Sequence, residues 1–437
     1  MKKNIMPLLL AVCMTASSLP VTAMAGDTAE AGQEEMADGE SNGDEPQGEE
    51  PDGEEPEGEE PEGDKPQDGG ASNGLNGEGS EGENGGAETL SIGEQIEAGE
   101  VSVSSIAELE EAVAALNADK ENDNEVTVTI AEGTYEVTGN EKLTIRRKNV
   151  TLKGAGQGKT IIDCGEYSNS GQGGIIIDAD NVTIEDLTVK STSTSGNVAA
   201  IKVTALEAIE GEMRLVKNTV IRNVTVSSDN GHGINLHGTE NAVIDGLTVE
   251  KAGKAGISLA NTVNVTIENT EALSENCSWG SVAMMFAEGE AYKNPVSIVY
   301  GEGNDIDYIY ADERNAEGYE GVNSIHFDAA YAGEIAGDIK EVSVSEGVDV
   351  PETFKYAASV NGAYFTTING AIEAANDGDT VKCAPGTYDE NIVFGDKSIT
   401  LEGAQAGVKP DGENRTDDSQ ETILTGTVST ANGGTTA

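Results

Sequence analysis

Residues 220–226 (VIRNVTV), 243–249 (VIDGLTV) and 265–269 (VTIEN) repeat one short pattern, and residues 182–189 (VTIEDLTV) carry an earlier copy. The last three copies begin at positions 220, 243 and 265, so their starts lie 23 and 22 residues apart. Each copy is rich in β-branched residues and contains Asn, Asp or Gly, which is typical of a short strand that ends in a turn. A period near 22 predicts a solenoid whose coils stack and share one core.

A companion strand accompanies the later copies. Residues 233–236 (GINL) return as residues 256–259 (GISL), again 23 positions later. Leucine-rich repeats have a similar period, but their Leu-x-x-Leu-x-Leu frame is missing. Asn223 and Asn269 fall at equivalent turns, where stacked amides can bond to one another along the axis. The fold predicted is all-β, a right-handed parallel β-helix.

The open first coil of such a solenoid needs a cover, because its exposed strand edge invites aggregation. Residues 106–116 have apolar side chains at helical spacing and precede residues 126–130 (VTVTI), which alternate as a half-buried strand does. We therefore predict an N-terminal capping helix over residues 106–116. Residues 368–375 have the same character and predict a second capping helix.

The opening of the solenoid occurs twice in the chain. Residues 131–136 (AEGTYE) and 150–154 (VTLKG) are echoed by residues 384–389 (APGTYD) and 399–403 (ITLEG). Residues 341–437 therefore predict a second, incomplete β-helix after a first one at residues 90–340. Fewer than about three repeats rarely stand alone. Either the chain is a fragment of something longer, or the second set of coils stacks on the first domain.

The N-terminus predicts export. Lys2 and Lys3 precede an apolar run at residues 5–12, and Ala23-Met24-Ala25 provides a small-residue cleavage site. These are the three parts of a secretory signal peptide, predicted here as residues 1–25. A membrane anchor would need roughly 20 uninterrupted apolar residues. We predict a secreted, extracellular and bacterial-type protein, with cell-surface association left open.

Charge excludes some partners. Residues 26–89 hold 23 acidic residues and one basic residue, a net charge of −22, and residues 90–437 hold 57 and 22, a net charge of −35. Nucleic acids and anionic membranes are poor partners for so acidic a chain. Residues 26–89 are also rich in Pro and Gly and have almost nothing to bury, which predicts a disordered linker. It is either a spacer that carries the folded part away from a cell wall or a solvated tail.

The sequence around the second capping helix resembles that of a known family of proteins. Residues 365–403 combine a short helix, a strand, Gly-Thr-Tyr and Ile-Thr-Leu-x-Gly. This order resembles the N-terminal coils of pectate lyase-like and pectin methylesterase-like β-helix proteins. The resemblance implies the fold and a polysaccharide or glycan partner. It implies no single activity, because binding and structural proteins share the fold.

The catalytic motifs of these families are largely missing. The Arg-x-Pro-x-x-Arg of pectate lyases and the Gln- and Asp-bearing strands of pectin methylesterases have no match. Gly231-His232-Gly233 matches the Gly-His-Gly of polygalacturonases, a resemblance that implies a catalytic role for His232. The paired aspartates expected before it and the Arg-Ile-Lys expected after it are absent.

Strand alternation identifies one outward surface. If Ile234 and Leu236 point inward, Asn235 and His237 point outward, and the neighbouring coils follow the same register. The residues predicted on this surface are Asp178, Lys202, Thr204, Asn235, His237 and Ser258. A carboxylate, an amine and an imidazole together can do acid–base chemistry. The catalytic candidates are thus Lys202, His237, Asp178 and His232, and the ligand-binding candidates are Thr204, Asn235 and Ser258. A plain solvated surface is the simpler interpretation.

Two further features adjoin this surface. The coil that contains residues 206–216 is longer than the following coil, which predicts a loop that walls a groove. Asp178 and Asp180 offer the oxygen ligands that Ca²⁺ prefers, although an Asx-rich turn explains them equally well. The sequence indicates no cofactor besides this possible Ca²⁺.

Two function classes follow. The first is a secreted or cell-surface β-helix protein that binds a polysaccharide or a host or matrix glycan without catalysis. The second is a polysaccharide lyase or glycoside hydrolase that acts on uronic-acid polysaccharide around Lys202 and His237. The missing catalytic motifs favour binding. The lysine and histidine on one surface, beside a protruding loop, favour an enzyme.

Overall fold

The computed structural model of the chain describes residues 90–137, 143–166, 173–193, 198–206, 208–209, 212–285, 294–312, 321–409, 415 and 417–430. The predicted signal peptide and acidic linker lie outside the described residues. The part described forms one compact unit from Leu90 onward. Among these residues, no helix is long and apolar enough to cross a bilayer.

The described secondary structure is mostly β. Three α-helices occur: α1 (Ile92–Ala98), α2 (Ile106–Ala118) and α3 (Ile368–Ala374). The strands, in chain order, are β1 (Glu100–Val103), β2 (Val126–Ile130), β3 (Gly133–Glu136), β4 (Leu143–Ile145), β5 (Val150–Lys153), β6 (Thr160–Asp163), β7 (Gly173–Ile177), β8 (Thr183–Ser191), β9 (Ala199–Val203), β10 (Ala208–Ile209), β11 (Glu212–Met213), β12 (Val216–Lys217), β13 (Val220–Ser228), β14 (His232–His237), β15 (Thr239–Glu240), β16 (Val243–Asp245), β17 (Thr248–Ala252), β18 (Ile257–Ala260), β19 (Val265–Glu268), β20 (Glu271–Ala272), β21 (Val282–Met285), β22 (Ser297–Tyr300), β23 (Asp305–Ile306), β24 (Tyr308–Ala311), β25 (Ser324–Phe327), β26 (Glu334–Gly337), β27 (Glu341–Val344), β28 (Ala358–Val360), β29 (Ala363–Phe365), β30 (Thr380–Cys383), β31 (Gly386–Tyr388), β32 (Ile392–Val393), β33 (Thr400–Glu402), β34 (Thr422–Leu424) and β35 (Val428–Ser429).

Three parallel faces build the first solenoid. Face 1 stacks β1, β2, β5, the start of β8 and β13, and then β16, β19, β22, β25 and β27. Face 2 stacks β3, β6, the end of β8 and β13, and then β17, β20 and β23. Face 3 stacks β4, β7, β9, β14, β18, β21, β24 and β26. The predicted right-handed parallel β-helix is confirmed.

The core lies inside the coils. On face 3, Ile175, Ile201, Ile234 and Ile257 stand in register, and each is 0% exposed. A fully buried isoleucine contributes roughly 1.5–3 kcal/mol. One coil leaves such a side chain without neighbours above and below it, so this contribution requires stacking.

Residues in the left-handed region turn the corners between faces. Asn149, Asn181 and Asn218 have φ near +60°, and the amides of Asn181 and Asn218 each donate to the side-chain oxygen of the asparagine one coil earlier, at 2.8 Å. The ladder predicted at Asn223 and Asn269 does not form between those two residues. Their amides donate instead to Asp186 and Asp245, because Gly246 occupies the intervening coil and has no side chain to bridge them.

The N-terminal end is closed by helices, as predicted. Helix α2 is capped by Ser105 and buries Leu109, Ala112, Val113 and Leu116 against the first coils. The sequence analysis missed α1, which begins with a Ser91–Glu94 capping box. It also missed β1, which extends face 1 by pairing with β2.

The second β-helix continues the same sheet in the opposite direction. The β28–β29 hairpin pairs antiparallel with β27 on one side and with β30 on the other. Two coils follow, in which β30, β31 and β32 pair in parallel with β33, β34 and β35. Helix α3 covers this second core. The second set of coils therefore stacks on the first solenoid, which was one of the two alternatives.

Candidate functional site

Face 3 arranges the predicted site residues in two outward columns. Lys202, Asn235 and Ser258 are direct partners on β9, β14 and β18. Asp178, Thr204 and His237 form the second column, because they directly follow Ile177, Val203 and Leu236, which are register partners on β7, β9 and β14. Neighbouring strands lie about 4.8 Å apart. These six residues therefore form one array of two adjacent columns on face 3.

The side chains of this array differ in how much of each is exposed to solvent. Lys202, Asn235 and His237 are half-buried, although Asn235 Oδ1 and His237 Nε2 are themselves buried atoms. Thr204 is 5% exposed and donates to the carbonyl of Ala205, while Ser258 is 1% exposed and donates to the sulfur of Met285. Thr204 and Ser258 thus lie on the predicted face, but they are covered. Both side chains are covered in this structure, and their role in ligand binding stays a prediction.

His232 lies apart from the outward columns. It is 5% exposed, its Nδ1 accepts the Ala255 amide hydrogen at 3.3 Å, and its ring meets Trp279 edge-on at 5.6 Å. Burial lowers the pKa of His232 to about 3, and the charges of Lys254 and Lys202 act in the same direction. His232 is therefore buried and neutral at pH 7, and its catalytic role stays a prediction.

The two glycines of Gly231-His232-Gly233 have a packing reason as well. A Cβ on Gly231 would lie 2.1 Å from the carbonyl oxygen of Val198, and one on Gly233 would lie 2.6 Å from that of Gly256. No side chain fits at such distances. Close stacking of successive coils therefore explains the motif that resembled a polygalacturonase.

His237 is the titratable group at the centre of the array. Burial, followed by the positive charge of Lys202, lowers the pKa of His237 to about 4. Its imidazole is therefore neutral at pH 7. Beside it, within the described residues, Asn235 Oδ1 is a buried acceptor without a hydrogen-bond partner. His237 Nε2 is buried as well. The two uncharged side chains lie next to the Lys202 cation.

Arg214 was missed by the sequence analysis. Its Nη2 lies 2.8 Å from Asp178 Oδ1, and its Nη1 lies 3.2 Å from Asp180 Oδ1. The Leu206 amide also donates to Asp178, at 3.3 Å. The predicted protruding loop contains the antiparallel β10–β11 pair, and Arg214 follows it directly. The sequence contained one signal for this contact, because a basic residue ends the long coil and two acidic residues lie one coil earlier.

Arg214 changes what Asp178 and Asp180 can do. The Asp178 side chain is 11% exposed, and its carboxylate is already compensated by the guanidinium. Among the described residues, no group of three or more His, Cys, Asp or Glu side chains is arranged to hold a metal ion. Calcium binding by Asp178 and Asp180 stays a prediction, in which the ion has to compete with Arg214.

A family model agrees with the fold. Residues 148–294 match the family model described as "Right handed beta helix region". No curated protein matches the sequence.

Solved structures with a similar fold include three from bacteria. The A-module of mannuronan C-5 epimerase AlgE6 from Azotobacter vinelandii is 17% identical, with 76% of this chain and 97% of that chain covered and a TM-score of 0.40. Pectin methylesterase PemA from Erwinia chrysanthemi is 14% identical, with 55% and 81% covered and a TM-score of 0.35. An alginate lyase from Paenibacillus is 13% identical, with 57% and 99% covered and a TM-score of 0.27. The activities in these names belong to those proteins.

Proposed function

We propose that this protein is secreted or displayed at the cell surface and binds a polysaccharide or a host or matrix glycan on face 3. The contact surface in this proposal consists of Lys202, Asn235 and His237. These side chains are adjacent, half-buried and polar, and they lie on parallel strands in register. A regular array suits an extended, repeating ligand better than a compact one.

We favour binding over turnover because the pKa of His237 is low. A general base works best when its pKa lies near the operating pH. With a pKa of about 4, His237 is a weak base that donates or accepts hydrogen bonds without charge at neutral pH. Asp178, the carboxylate expected to assist it, is ion-paired with Arg214.

The net charge of the chain limits which glycans it can bind. The chain carries a net charge of −55, so long-range repulsion opposes a polyanionic glycan. Lys202 supplies one local cation for a carboxylate or a hydroxyl. We therefore propose a neutral or sparsely charged glycan, or an acidic one that Ca²⁺ bridges to the protein. The cell wall is one source of such polymers, and the acidic linker at residues 26–89 is the proposed spacer.

A binding assay tests the proposal. The full chain is incubated with an immobilised neutral glycan such as cellulose and with immobilised pectin, alginate and glycosaminoglycan, with and without Ca²⁺, and retention is measured. Loss of a hydrogen bond to a charged group costs about 1.5–3 kcal/mol, so Lys202→Ala should weaken binding by about tenfold or more. His237→Ala should weaken it as well. Lys190→Ala, on face 2, is the matched control and should retain affinity.

The same incubation distinguishes the enzyme alternative. New unsaturated ends would identify a lyase and new reducing ends a hydrolase, provided that Lys202→Ala or His237→Ala abolishes them. Either product would overturn the proposal of binding without turnover. Equal retention of the wild type, Lys202→Ala and His237→Ala would show that the glycan binds elsewhere than on face 3.

A further inference from the structure

A serine, a histidine and an aspartate meet on the outward side of face 1. His326 lies on β25 and Ser343 lies beside it on β27, as a direct register partner. Asp328 follows β25 immediately. Ile325, Phe327 and Val342 point into the core, so alternation directs the polar side chains outward. This group is separate from the Lys202 surface on face 3.

The hydrogen bonds run in one line through the imidazole. His326 Nδ1 lies 2.8 Å from Ser343 Oγ, and His326 Nε2 lies 3.1 Å from Asp328 Oδ1. Ser345 Oγ donates to the same carboxylate oxygen at 2.5 Å and lies 3.2 Å from Nε2. Each member of the group is therefore held by at least one other member.

The carboxylate determines the tautomer. An ionised carboxylate only accepts hydrogen bonds, so Nε2, which faces Asp328, carries the ring hydrogen. Nδ1 then has a lone pair and accepts the hydroxyl hydrogen of Ser343. A nucleophile bonded to a base that a third group orients is the arrangement that activates serine hydroxyls.

We infer that Ser343 is a nucleophile that accepts an acyl group from activated carboxylic esters, with His326 as its base and Asp328 as the group that orients His326. The side chains of His326 and Asp328 are 37% and 46% exposed, so a small ester can reach them. This activity does not depend on glycan binding by face 3.

Ester hydrolysis by this group takes two steps, acylation of Ser343 and then hydrolysis of the acyl-serine. Ser343 Oγ forms a bond to the ester carbonyl carbon as its proton moves to His326 Nδ1. The bond between that carbon and the alkoxide then breaks, and the proton passes from Nδ1 to the departing alcohol. Water next attacks the acyl-serine and gives its proton to Nδ1. Ser343 Oγ leaves with that proton, and a carboxylic acid is released.

The strand environment limits the substrates. Strand β27 pairs with β25 on one side and β29 on the other, and the Ser345 amide donates to the Phe327 carbonyl. That amide is not available to stabilise an oxyanion. Since one such donor contributes about 10²–10³ in rate, the inference covers esters with good leaving groups.

The test uses the full chain and p-nitrophenyl acetate. Positioned bases contribute about 10²–10⁴ in rate, so Ser343→Ala and His326→Gln should each lower nitrophenolate release above background by about 100-fold. Asp328→Asn should lower it as well and change its pH profile, because the tautomer is no longer fixed. Ser324→Ala, which removes another half-exposed serine from β25, is the matched control and should keep the wild-type rate.

Mass mapping of the trapped adduct provides the second measurement. An acetyl group on Ser343, absent in His326→Gln, supports the inference. Unchanged melting of Ser343→Ala excludes loss of fold as the cause of a lower rate. Wild-type rates in Ser343→Ala, or acetyl groups on lysines alone, would overturn it.

Discussion

Single residues at the turns determine how one coil follows the next. Asn149, Asn181 and Asn218 adopt left-handed φ, a conformation that costs most L-residues roughly 1–2 kcal/mol but suits Asn and Gly. Their amides also bond from coil to coil. The two contributions can be separated by substitution, because Gly keeps the conformation and removes the amide.

We expect Asn181→Gly to lower the free energy of unfolding by about 1 kcal/mol. Glycine keeps the left-handed conformation, so only the solvent-exposed hydrogen bonds of the Asn181 amide are lost. Asn181→Ala should lose about 1 kcal/mol more, because Ala also strains the turn. Urea unfolding measures both. Equal stability of the Ala and Gly variants would contradict the conformational part of the argument.

The buried histidines predict how stability depends on pH. Burial lowers the pKa of His232 to about 3, below its ordinary value of 6.5. The unfolded chain therefore binds more protons than the folded chain between these values. The stabilisation is fully present above about pH 6.5 and is lost progressively as the pH falls.

For His232 alone we expect a loss of about 2 kcal/mol between about pH 6.5 and about pH 4.5. His237, with a pKa of about 4, contributes with the same sign. Urea midpoints across this range measure the slope. His232→Asn, which keeps an acceptor for the Ala255 amide, should reduce the slope, and adding His237→Gln should reduce it further. A slope unchanged in both variants would contradict the assignment.

At the scale of elements, alternation and spacing predicted the capping helix α2 and the outward direction of Asn235 and His237. They did not predict that Thr204 and Ser258 are covered, because cover comes from neighbouring parts of the chain rather than from the strand itself. Arg214 was missed for the same reason. Its partners Asp178 and Asp180 lie one coil away, and only the folded path of the chain brings them together.

The ion pairs that follow the β10–β11 pair predict a change in metal binding. Arg214→Gln leaves the Asp178 carboxylate without its cation, which should cost about 1–3 kcal/mol of stability. The same substitution removes the guanidinium that competes for the Asp178 and Asp180 carboxylates, so Ca²⁺ should bind this variant more tightly than the wild type.

The measurement is the rise in melting temperature with added Ca²⁺, compared between the two proteins. Arg214→Lys, which keeps the charge, is the control and should resemble the wild type. A Ca²⁺ response in Arg214→Gln no larger than that of the wild type would contradict a role for these two aspartates as ligands.

The whole molecule combines a uniform architecture with a strong excess of negative charge. Net charge far from zero weakens the compact state through self-repulsion. We therefore expect the melting temperature to rise as ionic strength increases from about 0.01 M to about 1 M, where the screening length falls from about 30 Å to about 3 Å. Calorimetry in a chloride salt measures this. A fall in melting temperature would indicate that surface ion pairs, such as Lys153–Glu185, outweigh the repulsion.

By itself, the sequence determined the solenoid, because a repeat near 22 residues and period-two alternation are local patterns that stacking must satisfy. It also determined which side chains point outward. Only the tertiary structure decided that the second β-helix stacks in the reverse direction, that His232 is buried, and that Arg214 pairs with Asp178. It alone placed Ser343 against His326, which lies 17 positions earlier in the chain. These outcomes depend on contacts between different coils, and the distance between such residues is set by the path of the chain rather than by the residues themselves.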